Sequence, residues 1–232
     1  MIVSYNTAMS RESHISTIAE LVQSEGGVFT AAQAARLGVP RDALSHAMRA
    51  GRLERVVRGA YRLVGTAPSE LDLAAALWKL TAPASFTHER MGRWDGIVVG
   101  GATAAFALGI GDLHPYPCRM YAPHLIRSKF PGMSAAVRRV DERDVTFRFG
   151  TPVTRAERTV LDLSLDGEDP SLVANVLAGA ERRLSRADFD HARLAELFVG
   201  SVGRWGVPAG TLEVLAAETG VDVTMMEIGG QA

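Results

Sequence analysis

Five arginines and a single acidic residue lie in the stretch RAGRLERVVRGAYRLVG, residues 49–65. Apolar residues alternate with the charged ones, which predicts two short strands at residues 52–57 and 60–64, joined by a turn at Arg58 and Gly59. A guanidinium group donates parallel hydrogen bonds that fit a phosphate group or the edge of a guanine base. The stretch therefore favours the binding of a polyanion.

This positive charge is local, because the chain as a whole is nearly neutral. Its 232 residues carry 25 Lys and Arg against 26 Asp and Glu, which gives a net charge of −1. Residues 36–62 carry seven arginines against Asp42 and Glu54, a net charge of +5. The alternative interpretation of such a run is a solvated edge strand that its charges protect from aggregation. The elements before the hairpin favour the binding of a polyanion over a solvated edge strand.

Three predicted helices precede the hairpin. Apolar residues recur at i, i+3, i+4 and i+7 and predict a first helix over residues 13–24. Thr30 and Gln33 have the spacing of a capping box, which predicts that a second helix starts there. Pro40 can open a third helix, because its missing N–H would have no partner in the first turn. We expect this third helix to end near Gly51.

This order of helices and hairpin is that of a winged helix-turn-helix, which we assign to residues 1–66. The third helix is then the recognition helix, since an α-helix fits the DNA major groove and its outward side chains reach base edges. Its polar side carries Arg41, Asp42, Ser45, His46 and Arg49. From these we expect base contacts by Arg41, Ser45, His46 and Arg49.

The other predicted contacts are with the phosphate backbone. Thr30 and Gln33 stand at the start of the second helix, a position from which proteins commonly donate to phosphate. The hairpin would be the wing, and Arg58 at its tip could enter the minor groove. The arginines predicted on the wing are Arg52, Arg55, Arg58 and Arg62. Affinity should fall steeply with salt, because each neutralised phosphate releases counterions.

Residues 67–232 mix predicted strands and helices, so we expect a larger mixed α/β domain after the winged helix. Strands are predicted at residues 97–99, 119–122 and 145–149, and helices at residues 69–80, 102–108, 155–164, 171–184, 189–198 and 211–218. Gly100 and Gly101 separate a strand from a helix but lack a P-loop motif, and we interpret them as a site of close packing. The expected fold class is α+β.

The stretch GGVFTAAQAARLGVPRDALSHAMRAGRLERVVRGAYRL, residues 26–63, resembles the N-terminal winged-helix domain of the AbiEi family of bacterial antitoxins. The motifs that carry the resemblance are G-x-F-T-x-x-Q-A, L-G-V-P-R and R-x-G-R-L-x-R-V-x-R-G-x-Y. A second likeness lies in TPVTRAERTVLDLS, residues 151–164. In VVGGATAAFALGI, residues 98–110, Gly100 and Gly101 replace the Ser-His pair that relatives tend to have.

The resemblance implies an antitoxin that binds double-stranded DNA at its own operator and represses its operon. It implies that the operon partner is a nucleotidyltransferase-like toxin, and the family is usually described as acting without stable contact between antitoxin and toxin. The alternative is a winged-helix transcription regulator whose C-terminal domain senses a small molecule or a protein. Both hypotheses share the DNA-binding half.

Other classes of protein lack their sequence signals here. The longest uncharged run, residues 96–111, has 16 residues with five glycines, whereas a membrane span needs roughly 20 mostly apolar residues. The first residues lack the pattern of a signal peptide, and a single cysteine fits a cytoplasmic protein. His88 and Glu89 lack the second histidine of a zinc motif, and no carboxylate pair stands with a Lys or His. We expect no metal, no cofactor, no membrane contact and no enzymatic activity.

Overall fold

The computed structural model describes residues 11–65, 67–127, 130–202 and 207–221. The chain divides into two compact units, Met1–Asp95 and Gly96–Ala232. The sequence places the domain boundary between residues 66 and 67, but the first compact unit continues to Asp95. The reason is that the helices after residue 66 pack against the winged helix.

The first unit contains five helices and three strands within its described residues. In chain order they are α1 (Arg11–Ser24), β1 (Val28–Thr30), α2 (Ala31–Arg36), α3 (Arg41–Arg49), β2 (Leu53–Val57), β3 (Ala60–Leu63), α4 (Asp72–Leu80) and α5 (Thr87–Gly92). Strand β3 lies between β1 and β2 in an antiparallel sheet. The predicted winged helix-turn-helix is confirmed, with α2 and α3 as the helix pair and β2–β3 as the wing.

The core of this unit lies between α1, α3 and the sheet. Leu21, Phe29, Leu44 and Leu53 are its large buried side chains, and together they join the three elements. The turn of the wing depends on Gly59, whose φ of 95° is in the region that favours glycine. The core thus fixes the angle at which α3 and the wing are presented.

Helices α4 and α5 are joined to the winged helix by a buried ion pair, here called the Glu25–Lys79 pair. Lys79 Nζ lies 2.7 Å from Glu25 Oε2, and both side chains are 1% exposed. Thr87 donates to the same carboxylate from its hydroxyl, at 2.7 Å, and from its amide, at 3.0 Å. These bonds connect α4 and α5 to the end of α1.

Burial is the largest influence on the pKa of both partners. It lowers the pKa of Lys79, and the charge of Glu25 offsets only part of this effect. Burial raises the pKa of Glu25, but the charge of Lys79 and the hydrogen bonds from Lys79 and Thr87 outweigh it, so that the pKa lies below its ordinary value. The carboxylate is therefore held in its charged form by its partners.

The second unit is a mixed α/β structure, as predicted. Its elements are β4 (Val98–Val99), α6 (Gly101–Leu108), β5 (Cys118–Ala122), β6 (Met133–Val137), β7 (Val145–Arg148), β8 (Thr151–Thr154), α7 (Ala156–Asp166), α8 (Pro170–Arg183), α9 (His191–Ser201) and α10 (Thr211–Thr219). The sheet has the order β6-β5-β4-β8-β7 and contains both parallel and antiparallel pairs. The helices form an apolar core that includes Val160, Leu161, Leu177 and Leu194.

Gly100 and Gly101 are sites of close approach, which supports their interpretation as packing residues. A Cβ atom on Gly100 would lie 2.0 Å from Cε2 of Tyr121. The ring is held in place because its hydroxyl donates to Asp166 Oδ2 at 2.7 Å, and Arg119 also donates to this carboxylate. The glycines leave the space that this ring occupies.

Candidate nucleic-acid interface

The polar side of α3 is open to solvent along its whole length. Leu44 and Ala47 are buried against the core, at 2% and 5% exposure. The residues on the opposite side are all exposed; we call them the recognition face, and they are Arg41, Asp42, Ser45, His46 and Arg49. Asp42 thus shares a surface with the four predicted base-contacting residues, although the sequence predicts no base contact for it.

The start of α3 differs from its prediction by one position. Pro40 is the residue before the first turn, with extended backbone (φ −75°, ψ 161°), and the helix begins at Arg41. The carbonyl of Pro40 accepts hydrogen bonds from the amides of Ala43 and Leu44, at 3.0 and 3.3 Å. The first turn of the helix therefore presents Arg41 and Asp42 at its open end.

Three of the four predicted wing arginines are exposed, namely Arg52, Arg55 and Arg58. Arg58 lies in the turn between β2 and β3, as predicted. The Arg55 guanidinium lies 6.0 Å from the centre of the Tyr61 ring, and its Nη2 is 4.0 Å from Sδ of Met48. Because Met48 belongs to α3, Arg55 lies where the wing and the recognition helix meet.

Arg62 does not have the position predicted for it. It is only 8% exposed, and its Nη2 lies 2.6 Å from Glu54 Oε2, while Nη1 lies 3.7 Å from Asp72 Oδ2. Glu54 and Arg62 are directly opposite each other on β2 and β3. A regular hairpin with its turn at residues 58 and 59 would place Arg55 opposite Arg62, but a bulge between Arg55 and Val57 shifts the register by one residue, and no signal in the sequence indicates this shift. The charge of Arg62 is paired with carboxylates of the first unit and does not face a phosphate group.

Thr30 and Gln33 form the predicted capping box, but both side chains are fully buried. The Thr30 hydroxyl accepts from the Gln33 amide at 3.0 Å and donates to the carbonyl of Pro83. Gln33 Nε2 donates to Glu25 and to the carbonyl of Ser85, both at 2.8 Å. The predicted phosphate contacts of these two side chains are therefore replaced by internal hydrogen bonds.

Replacing Thr30 by Ala should lower the free energy of unfolding by about 1–2 kcal/mol, because α2 loses its N-cap. Binding of DNA by the folded variant should not change, since the side chain does not reach the surface. Chemical denaturation and a DNA titration check the two parts, with Thr30→Ser as the control that keeps the hydroxyl. If the variant were as stable as the wild type but bound DNA more weakly, the result would support the phosphate contact of Thr30 that was predicted from the sequence.

Five of the seven arginines in residues 36–62 are not engaged with a carboxylate. Arg62 is paired as above, and Arg36 makes two hydrogen bonds to Glu89, at 2.7 and 2.8 Å. The remaining five are Arg41, Arg49, Arg52, Arg55 and Arg58, and within the described ranges none of them forms an ion pair. The unpaired positive charge of the first unit is thus concentrated on the recognition face and the wing.

The described part of the chain lacks two other features. It holds no group of three or more His, Cys, Asp or Glu side chains that could bind a metal ion. Among the helices of these same residues, none has the length and apolar character needed to cross a membrane.

Comparisons with known proteins give a similar fold and a family match. The crystal structure of the RV2827C protein from Mycobacterium tuberculosis has a similar fold, with a TM-score of 0.51 at 17% sequence identity, over 99% of this chain and 82% of that one. No curated protein matches the chain in sequence. Residues 16–64, which contain α2, α3 and the wing, match the family model described as "Transcriptional regulator, AbiEi antitoxin", and this match confirms the family resemblance.

Proposed function

We propose that this protein is an antitoxin and autorepressor that binds the DNA of its own operator through α3 and the wing. The observation that carries the proposal is the set of five exposed arginines without carboxylate partners on these two elements. An unpaired guanidinium on a surface is ready to bind an anionic partner, because no internal pair must be broken first. The family match over the same residues points to the same activity.

In this proposal, α3 enters the major groove and the wing follows the phosphate backbone. Arg41, Ser45, His46 and Arg49 contact bases from the recognition face. Arg52 and Arg55 contact phosphates beside it, and Arg58 reaches the adjacent minor groove from the tip of the wing. The side chains of Thr30, Gln33 and Arg62 are left out of this interface because they are buried.

We further propose that the two roles lie in different parts of the chain. Residues 1–66 make the DNA contacts, α4 and α5 support them as part of the first unit, and the remainder of residues 67–232 counteracts a nucleotidyltransferase-like toxin. The protein acts in the cytoplasm and catalyses no reaction. The support for an antitoxin is the family match over residues 16–64, whose description names an antitoxin as well as a transcriptional regulator. Co-expression of the full chain with the toxin candidate from the adjacent gene tests this part, and lack of rescue would count against it.

DNA binding is tested by titrating the protein with its own upstream DNA and with scrambled DNA at two salt concentrations. Specific binding requires higher affinity for the upstream DNA, and phosphate contacts require that affinity fall with salt. Equal affinity for both sequences, or no dependence on salt, would contradict the proposal.

Replacing Arg58 by Ala should weaken binding to upstream and scrambled DNA alike. The slope of log K against log salt should become shallower by about 1, because the variant lacks one cation that releases counterions from the phosphates on either side of the minor groove. Arg186→Ala is a matched control, since it removes an exposed arginine of the second unit. If the two variants behave alike, the wing does not contact DNA.

A further inference from the structure

We infer that Asp42 is a specificity-determining residue of the recognition face, and that it selects a cytosine in the operator. This inference rests on the proposed DNA-binding function and goes beyond it by naming the bases that the site accepts. The recognition face carries charges of opposite sign. An exposed carboxylate lies on a surface whose other charged groups are arginines and which is proposed to face a polyanion.

The position of Asp42 is central rather than peripheral. Asp42 and Arg49 are seven residues apart, which is nearly two full turns, so they lie one above the other on the helix surface. Ser45 and His46 lie between them on the same side. Leu44 and Ala47, which are buried, mark the opposite side of α3. The line from Asp42 to Arg49 is therefore the part of α3 that would go deepest into a groove.

The Asp42 carboxylate is not committed elsewhere in the described structure. It forms no ion pair there, although Arg41 is its neighbour in sequence. An acidic residue in the first turn also stabilises a helix through its dipole, and this benefit does not require any partner in the groove. A carboxylate facing DNA is repelled by phosphates, so it is compatible with tight binding only where a base offers it a donor.

The major groove offers such a donor at cytosine. Its N4 amino group donates to Asp or Glu, whereas guanine presents two acceptors, N7 and O6, to the same position. Asp42 would thus attract cytosine and repel guanine. Arg49 has the opposite preference, because its guanidinium donates to both guanine acceptors.

The spacing between the two contacts follows from helix geometry. Seven residues rise about 10 Å along α3, which corresponds to about three base pairs of B-form DNA. The inferred recognition sequence therefore contains a cytosine and a guanine separated by no more than about three base pairs, with Ser45 and His46 opposite the bases between them.

Selection of binding sites from randomised DNA tests the inference, with the full chain and with Asp42→Ala, Asp42→Asn and Arg49→Ala. The wild type should enrich the cytosine and the guanine at this spacing. Asp42→Ala should lose about tenfold in discrimination at the cytosine only and bind scrambled DNA more tightly. Asp42→Asn should change the preference from cytosine to adenine, because an amide pairs with adenine N6 and N7. Arg49→Ala should lose the guanine only.

Glu20→Gln serves as the control, because it removes an exposed carboxylate of α1 away from the recognition face. Circular dichroism of each variant shows whether α3 remains folded. Selection of one motif by all variants would overturn the role of Asp42 and leave the proposed function standing. If the wild type selects no motif at all, sequence-specific binding fails and this inference fails with it.

Discussion

Replacement of Lys79 by Ala is expected to lower the free energy of unfolding of the first unit by about 3–5 kcal/mol. The substitution leaves the Glu25 carboxylate buried without its cation, and an unpaired buried charge is far more costly than a missing pair. Gln33 and Thr87 donate to the same carboxylate, so the loss would extend to the junction of α1, α2 and α5. We expect DNA binding to be lost together with the fold.

Thermal and chemical denaturation of the full chain measure this effect. The double variant Glu25→Gln with Lys79→Met should recover much of the stability, because replacing both members of a buried pair by neutral groups is often tolerated. Arg36→Ala is the comparison at the surface of the same unit: it removes the bonds to Glu89 and to the Ala84 carbonyl, and should cost about 1 kcal/mol, well below the cost of Lys79→Ala. A Lys79→Ala variant as stable as Arg36→Ala would show that the pair does not hold α4 and α5 in place.

Replacement of Gly179 by Ala is expected to destabilise the second unit by about 1–3 kcal/mol. A Cβ atom at this position in α8 would lie 2.7 Å from the amide nitrogen of Gly111 and 3.3 Å from Cα of Ile110. Both atoms belong to the backbone, so no side chain can rotate away, and α8 would have to move. This cost exceeds the benefit of about 1 kcal/mol that alanine brings to a helix.

Gly200→Ala provides a control of opposite sign. Gly200 lies in α9, and a Cβ atom there would meet nothing within 4 Å. The same chemical change should therefore stabilise the unit by about 0.5–1 kcal/mol through helix propensity alone. Denaturation curves of the two variants should move in opposite directions. A stabilised Gly179→Ala variant would mean that the contact with residues 110 and 111 is not tight.

The parts of the site that could be predicted from sequence are those determined by local periodicity. The exposed side of α3 followed from its apolar residues, because Leu44 and Ala47 recur with the helical period. The turn at Arg58 and Gly59 followed from its composition. Asp42 was visible on the same side of the helix, but its place in the site depends on the chemistry of the partner.

Other features depend on residues that are distant in sequence. The capping box of Thr30 and Gln33 was correct, yet the carbonyls of Pro83 and Ser85 bury both side chains, and no local pattern indicates this. Strand β1 has only three residues, too few for a period of two to be visible. Strand β8 contains Pro152, and a proline in the sequence argues against a strand. In the structure β8 nevertheless pairs with β7 and β4.

The pairing of Arg62 has a consequence for how affinity for DNA could be adjusted. Arg62 joins Glu54 at the base of the wing to Asp72 at the start of α4, so the hairpin and this helix are mechanically linked. A substitution at Asp72 should therefore loosen the base of the wing and lower affinity for DNA, although Asp72 is not among the residues proposed to contact bases.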